Sequence, residues 1–117
     1  MFKKLLIGVL AIGASFSAAA GNIYCEGTVV NLYVSASGDV IFQGSYRADY
    51  TEVCNLHGTY GVVSTETCYA WYSQLIAAKT HAKQVLLNYQ TTATYTCSDL
   101  PTYGNSPVPS YVMVTGT

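Results

Sequence analysis

The sequence predicts a small, mainly β domain with one helix, stapled by two disulfides. Three observations predict it. Apolar residues alternate with period two through residues 28–34 and again through 40–47, the pattern of half-buried strands. Only the segment after Ser64 carries apolar residues at helical spacing behind a capping residue. Four cysteines, an even number, follow a leader of the export type, and such a count reads as two disulfides.

The leader is MFKKLLIGVLAIGASFSAAAGN. Lys3 and Lys4 precede an apolar run over residues 5–12, and Ala18 and Ala20 occupy the small positions before a cleavage point. Residues 1–20 are therefore expected to be a signal peptide cut after Ala20, and residues 21–117 one domain, secreted or periplasmic. The apolar run is interrupted by Gly8 and Gly13 and is too short for a membrane span.

The first strand is expected from Thr28, with Thr28, Val30, Leu32 and Val34 on one face and Val29, Asn31 and Tyr33 on the other. Gly27 is the expected bulge near its start. SASGD (35–39) is a turn cluster in which Gly38 can take positive φ. In the second strand Val40, Phe42, Gly44 and Tyr46 alternate with Ile41, Gln43, Ser45 and Arg47, and the short link makes a hairpin. Residues 50–56 form a third strand, and 57–61 a loop.

Ser64 or Thr65 caps the helix and Glu66 answers its positive end. Cys68, Trp71, Tyr72, Leu75 and Ala78 make one apolar stripe. Lys79, His81 and Lys83 gather at the other end. Residues 84–90 form a fourth strand with Val85, Leu87 and Tyr89 inward, weakly extended over 91–96. A proline-punctuated loop over 97–109 leads to a last strand over 111–115. The order β-β-β-α-β-β is that of the OB-fold, a small five-stranded barrel.

The stretch CNLHGTYGVVSTETCYAW opens with Cys54 and His57 in C-x-x-H spacing. A structural zinc site needs four ligands in paired spacings, and Cys68 brings no second ligand nearby. No metal and no cofactor are expected. Four cysteines allow three connectivities. The element order favours Cys54–Cys68, pinning the helix start to the third strand, and Cys25–Cys97, because a barrel's first strand also meets its late strands.

After the leader, Arg47, Lys79 and Lys83 face six acids, a net charge of −3. With no basic stripe, nucleic acid and anionic membrane are poor partners. All eleven tyrosines follow the leader. Tyrosine offers a flat apolar face and a hydroxyl, which suits wet binding surfaces.

His57 and His81 stand in no frame with a nucleophile and an orienting acid. The acids Asp49 and Glu52 could serve a glycosidase-type mechanism. So few polar groups surround them that the chain is expected to be no enzyme. Arg47 and Asp49 are expected to form a local surface ion pair of little energetic weight.

Two stretches, RADYTEVCNLHGTYGVVSTETCYAWYSQLIAAKTHAKQV (47–85) and YTCSDLPTYGNSPVPSYVMV (95–114), resemble a family of small secreted gammaproteobacterial proteins, uncharacterised in activity. More distantly, the layout is similar to the B subunits of AB5 toxins of the subtilase-cytotoxin type. The shared features are a cysteine in the third strand, a Trp71-bearing helix, then a polar turn and a strand such as KQVLL (83–87). Those subunits are OB-folds that form pentamers and bind glycans, so the resemblance implies a glycan-binding homo-oligomer but assigns no sugar-binding residue.

The expected function is a secreted, non-catalytic binding module whose ligand is a glycan, held by aromatic stacking and a polar rim. The candidate residues are Tyr46, Arg47, Asp49, Tyr50, Asn55, Tyr60 and Tyr103. The second expectation is a module that meets another secreted protein through a strand edge and the 101–109 loop, as an inhibitor or assembly factor. A small hydrolase is the third.

Overall fold

A computed structural model of the chain describes residues 21–116; the signal-peptide expectation falls on residues outside that range. The elements are β1 (Gly21–Val34), β2 (Asp39–Gly44), β3 (Thr51–Asn55), α1 (Thr65–Thr80), β4 (Gln84–Thr91) and β5 (Tyr111–Val114). The strands form one antiparallel sheet in the order β3-β2-β1-β4-β5, curled into a half-barrel. The fold is thus mainly β with one helix, as the element order predicts.

β1 holds the two halves together. Its first eight residues pair with β4, from Gly21↔Thr91 to Thr28↔Gln84, and its last residues pair with β2. Between them the register slips: Val29 faces Gly44, but Asn31 faces Gln43. Val30 is the extra residue, so the bulge is at Val30 and not at Gly27. A bulge reverses which parity faces the core. Cys25 and Val29 point inward before it, while Leu32 and Val34 do so after it. Val30, expected on one face with Leu32 and Val34, is instead exposed, and Asn31 and Tyr33 face out.

Gly27 has a different use. A Cβ there would meet Ser45 and Tyr46, and one on Gly44 would fall on the Tyr46 ring. The second strand accordingly stops at Gly44. Tyr46, expected within it, folds back from the following turn and packs its ring against the core.

A second slip separates Val40↔Cys54 from Ile41↔Glu52, with Val53 the extra residue. Val53 and Cys54 are therefore both fully buried. Thr51 faces Phe42 on the core side, and Glu52 faces Ile41 on the other. Gly38 takes φ +91° in the β1–β2 turn, as its sequence context requires.

Ser64 caps α1, its side chain accepting from the Thr67 N–H, and the buried stripe is Cys68, Trp71, Leu75 and Ala78. These side chains close the core against Val40, Phe42, Val85, Leu87, Tyr89 and Val112. Burying each large apolar side chain contributes about 1.5–3 kcal/mol. Cys54–Cys68 fastens the first turn of α1 to β3, and Cys25–Cys97 fastens the loop after β4 to β1. Engaged in a disulfide, Cys54 cannot join His57 as a thiolate ligand.

β4 ends at Thr91 rather than running on through Thr96. Residues 95–110 instead cross the gap between β3 and β5. One parallel bridge, Thr51↔Tyr103, joins this loop to β3, and the Ser110 N–H donates to the Asn88 carbonyl at 2.7 Å. No helix of the described residues is long and apolar enough to cross a membrane.

Candidate functional site

The two register slips determine what lies on the outer face of the β1–β2–β3 half. Cross-strand pairing aligns Asn31 with Gln43 and Tyr33 with Ile41. Ile41 in turn faces Glu52. Tyr50 immediately precedes β3 on the same parity as Glu52. Asn31 Nδ2 confirms the neighbourhood, donating to Gln43 Oε1 at 2.9 Å and to Tyr50 Oη at 3.1 Å.

Three tyrosine rings meet here. Tyr50 and Tyr103 stack with centroids 5.9 Å apart and planes at 17°. Tyr33 stands edge-on to Tyr50 at 6.1 Å and 61°. Tyr33 is 42% exposed and Tyr103 44%, so both outer rings of the group can be approached from solvent. Burial raises the Tyr33 phenol above its ordinary range, with the neighbouring Tyr103, Tyr50 and Asp39 adding to the effect.

Tyr103 reaches its place at a backbone cost. Its φ is +51°, in the left-handed region that bulky side chains rarely enter. Hydrogen bonds hold it there. The Tyr103 N–H donates to the Tyr50 carbonyl at 3.1 Å, and Ser106 Oγ donates to the Tyr103 carbonyl at 2.7 Å. Ser106 Oγ also accepts from the Glu52 N–H at 3.0 Å, and the Ser106 carbonyl accepts from Tyr60 Oη at 2.8 Å. Tyr60 is thus a strut under the loop, and burial pushes its phenol up to about 12, with Glu52 and Asp39 contributing.

Glu52 pairs with Asp39, not with Asp49. Burial pushes the Glu52 carboxyl up to about 7, its hydrogen bond to Asp39 and the charge of Asp39 adding to this. Asp39 is held below the usual carboxylate range by hydrogen bonds, from Ser35 first, then Glu52 and Asn55, with His57 nearby. One proton shared by two carboxyls, resting on Glu52, explains both directions.

The remaining candidates have local tasks. Asn55 donates to Asp39 Oδ1 at 2.8 Å and accepts from the N–H groups of His57 and Gly58, tying the β1–β2 turn to the loop after β3. Arg47 Nη1 donates to the Leu100 carbonyl at 2.8 Å. Asp49 accepts from the Tyr50 N–H at 2.9 Å. These contacts stand in place of the expected Arg47–Asp49 ion pair. Tyr46 packs against the core, and burial raises its phenol above the ordinary range.

Of the sequence candidates, then, the structure brings Tyr50 and Tyr103 together on the exposed face. Tyr60 and Asn55 lie beneath or beside it. Tyr33, Asn31 and Gln43 were not singled out by sequence, although the alternation already set Asn31 and Tyr33 on one face. The described residues enclose no pocket and hold no group of three or more metal-ligating side chains. No protein-family model, curated protein or solved structure matches the chain.

Proposed function

We propose that the protein is an exported, non-catalytic module that binds a glycan on the outer face of β1–β2–β3. The observation that carries this reading is the Tyr33–Tyr50–Tyr103 group, with the Asn31 and Gln43 amides beside it. Apolar faces of a pyranose stack on tyrosine rings, and ring hydroxyls bond amide and phenol groups at the rim. OB-folds bind oligosaccharides on the face of strands 2 and 3, between the β1–β2 and β4–β5 loops. Tyr103 comes from the second of those loops, and Ser35 and Gly38 from the first. A strained backbone kept at Tyr103 fits a residue retained for contact with a ligand.

The test is retention of the oxidised protein on immobilised oligosaccharides, wild type against Tyr103→Ala and Tyr33→Ala. Loss in both variants, with circular dichroism unchanged, supports the reading. Retention unaffected by either change, or no retention of wild type by any oligosaccharide, overturns it.

A second reading, contact with another secreted protein or a further copy of the chain, has its own observation. Tyr24, Tyr111 and Met113 are exposed on the outer face of β1–β4–β5. There Tyr24 and Tyr111 both face Asn88, and β5 is an edge strand. Native mass of the oxidised protein tests it. A closed ring, five copies in particular, would extend the likeness to toxin B subunits, and a monomer would end it.

A further inference from the structure

Resting on the glycan reading of the tyrosine face, we infer that this site discriminates by charge: it accepts uncharged glycans and rejects those bearing a carboxylate or sulfate. The filter is the Asp39 carboxylate of the Asp39–Glu52 pair, with the arginine and lysine side chains of the described residues held on backbone carbonyls.

The pair sits inside the face. Asp39 and Ile41 share the outer parity of β2, and Ile41 lies between Tyr33 and Glu52 in the ladder. Asp39 is fixed by Ser35 Oγ at 2.8 Å and Asn55 Nδ2 at 2.8 Å, so its charge cannot swing away. That charge is felt at Tyr33. Glu52 lies under the loop that presents Tyr103: a Cβ built on Gly104 would stand 3.8 Å from Glu52 Oε1. A ligand stacked on Tyr33 is therefore close to the fixed negative charge of Asp39.

The arginine and the two lysines of the described residues each donate to a backbone carbonyl. Arg47 donates to the Leu100 carbonyl, and its field acts on Tyr46 and Tyr89, which pack in the core. Lys79 Nζ donates to the Val30 carbonyl at 2.9 Å, and Lys83 Nζ to the Gly116 carbonyl at 3.4 Å. His57 is the basic side chain whose field reaches Asp39, and its ring lies against the Gly38 turn. Asp39 is the carboxylate whose charge reaches Tyr33, beside the phenols of Tyr103 and Tyr50. An anionic sugar would have to approach a like charge, and such juxtaposition is how interfaces exclude wrong ligands. Neutral hydroxyls meet no such obstacle and find acceptors in Asn31 Oδ1 and the carboxylate edge.

The experiment uses matched pairs of tetrasaccharides, each a neutral hexose oligomer and the same oligomer with one primary hydroxyl oxidised to a carboxylate. Affinities for the oxidised wild-type protein are measured at about 20 mM and about 500 mM salt, where screening is weak and strong. The acidic partner is expected to bind about tenfold or more weakly at low salt, the gap narrowing at high salt because the repulsion is electrostatic. At about pH 6, below the Glu52 value of about 7, Asp39→Asn is expected to narrow it at low salt, whereas Glu52→Gln, which replaces a protonated carboxyl, should leave it unchanged. The readout is a ratio within one protein sample, so a partly destabilised variant still reports, and wild type at two salts stands without either variant. Equal or tighter binding of the acidic partner overturns the inference while leaving the glycan reading intact. A gap that neither salt nor charge removal changes overturns it in favour of steric exclusion. Failure of every tetrasaccharide to bind overturns the glycan reading, and this inference with it.

Discussion

The ring of Tyr103, in the loop before β5, lies stacked on the ring of Tyr50, the residue just before β3, with centroids 5.9 Å apart. The Tyr103 N–H donates to the Tyr50 carbonyl, so backbone and side chain bring the two residues together. This contact bridges the gap between the two strands at the ends of the sheet. It also supplies the flat aromatic surface on which the proposed function rests.

Tyr103 is expected to trade stability against binding. Its φ of +51° costs a non-glycine residue about 1–3 kcal/mol. The stack with Tyr50 returns about 0.5–1.5 kcal/mol. Tyr103→Gly relieves the strain that Tyr103→Ala retains, so the glycine variant should be the more stable of the two by about 1 kcal/mol. Both should lose glycan retention. Urea midpoints of the two variants, beside the binding assay, check this.

Glu52 should make stability fall as pH rises. Its folded value is raised from 4.5 to about 7, so the folded state keeps a proton that the unfolded chain releases. The contribution of the protonated pair is fully present below pH 4.5 and is lost progressively up to about pH 7. Asp39 is lowered and acts in the opposite sense: its contribution is present above its unfolded value and disappears as pH falls through its folded one. Thermal midpoints across this range should decline for wild type toward neutral pH, and Glu52→Gln should flatten the decline. A wild-type curve that rises from pH 4.5 to pH 7 would contradict the assignment of the proton to Glu52.

The two disulfides should differ in effect. Cys54–Cys68 closes a short loop, and its removal by a double Cys→Ala change should cost about 3 kcal/mol. Cys25–Cys97 spans 72 residues and should cost about 4–5 kcal/mol on the same chain-entropy argument. It also anchors the loop that carries Tyr103, so its loss should weaken glycan retention more than loss of Cys54–Cys68 does. Chemical denaturation and the retention assay on the two double variants separate these effects.

Gly44 is expected to be intolerant of a side chain because the Tyr46 ring occupies the space. Gly44→Ala should destabilise by about 1–3 kcal/mol, the ordinary cost of overpacking. In a Tyr46→Ala background the same change should cost much less. The double-mutant cycle measures that coupling.

Local features of the sequence carried much of the fold. Ser64 and the Cys68–Trp71–Leu75–Ala78 stripe specify α1 because helical periodicity and capping lie within one stretch of chain. Val85, Leu87 and Tyr89 specify the inner face of β4 by simple alternation. The positions of the four cysteines in the element order were enough to favour the pairing found. What the sequence determined by itself is therefore the set of elements, most of the core and the covalent frame.

The tertiary structure decided the candidate site. Bulges at Val30 and Val53 shift the faces of β1 and β3, and neither residue type marks its own position as a bulge. Those shifts turn Asn31, Tyr33 and Glu52 outward beside Gln43 and Tyr50. Arg47 and Asp49, neighbours in sequence, hold separate backbone groups, whereas the carboxyls of Asp39 and Glu52, on different strands, interact. Periodicity reports which residues alternate along one strand. Which strand residue stands opposite another depends on register, a property of two segments and the core they jointly bury.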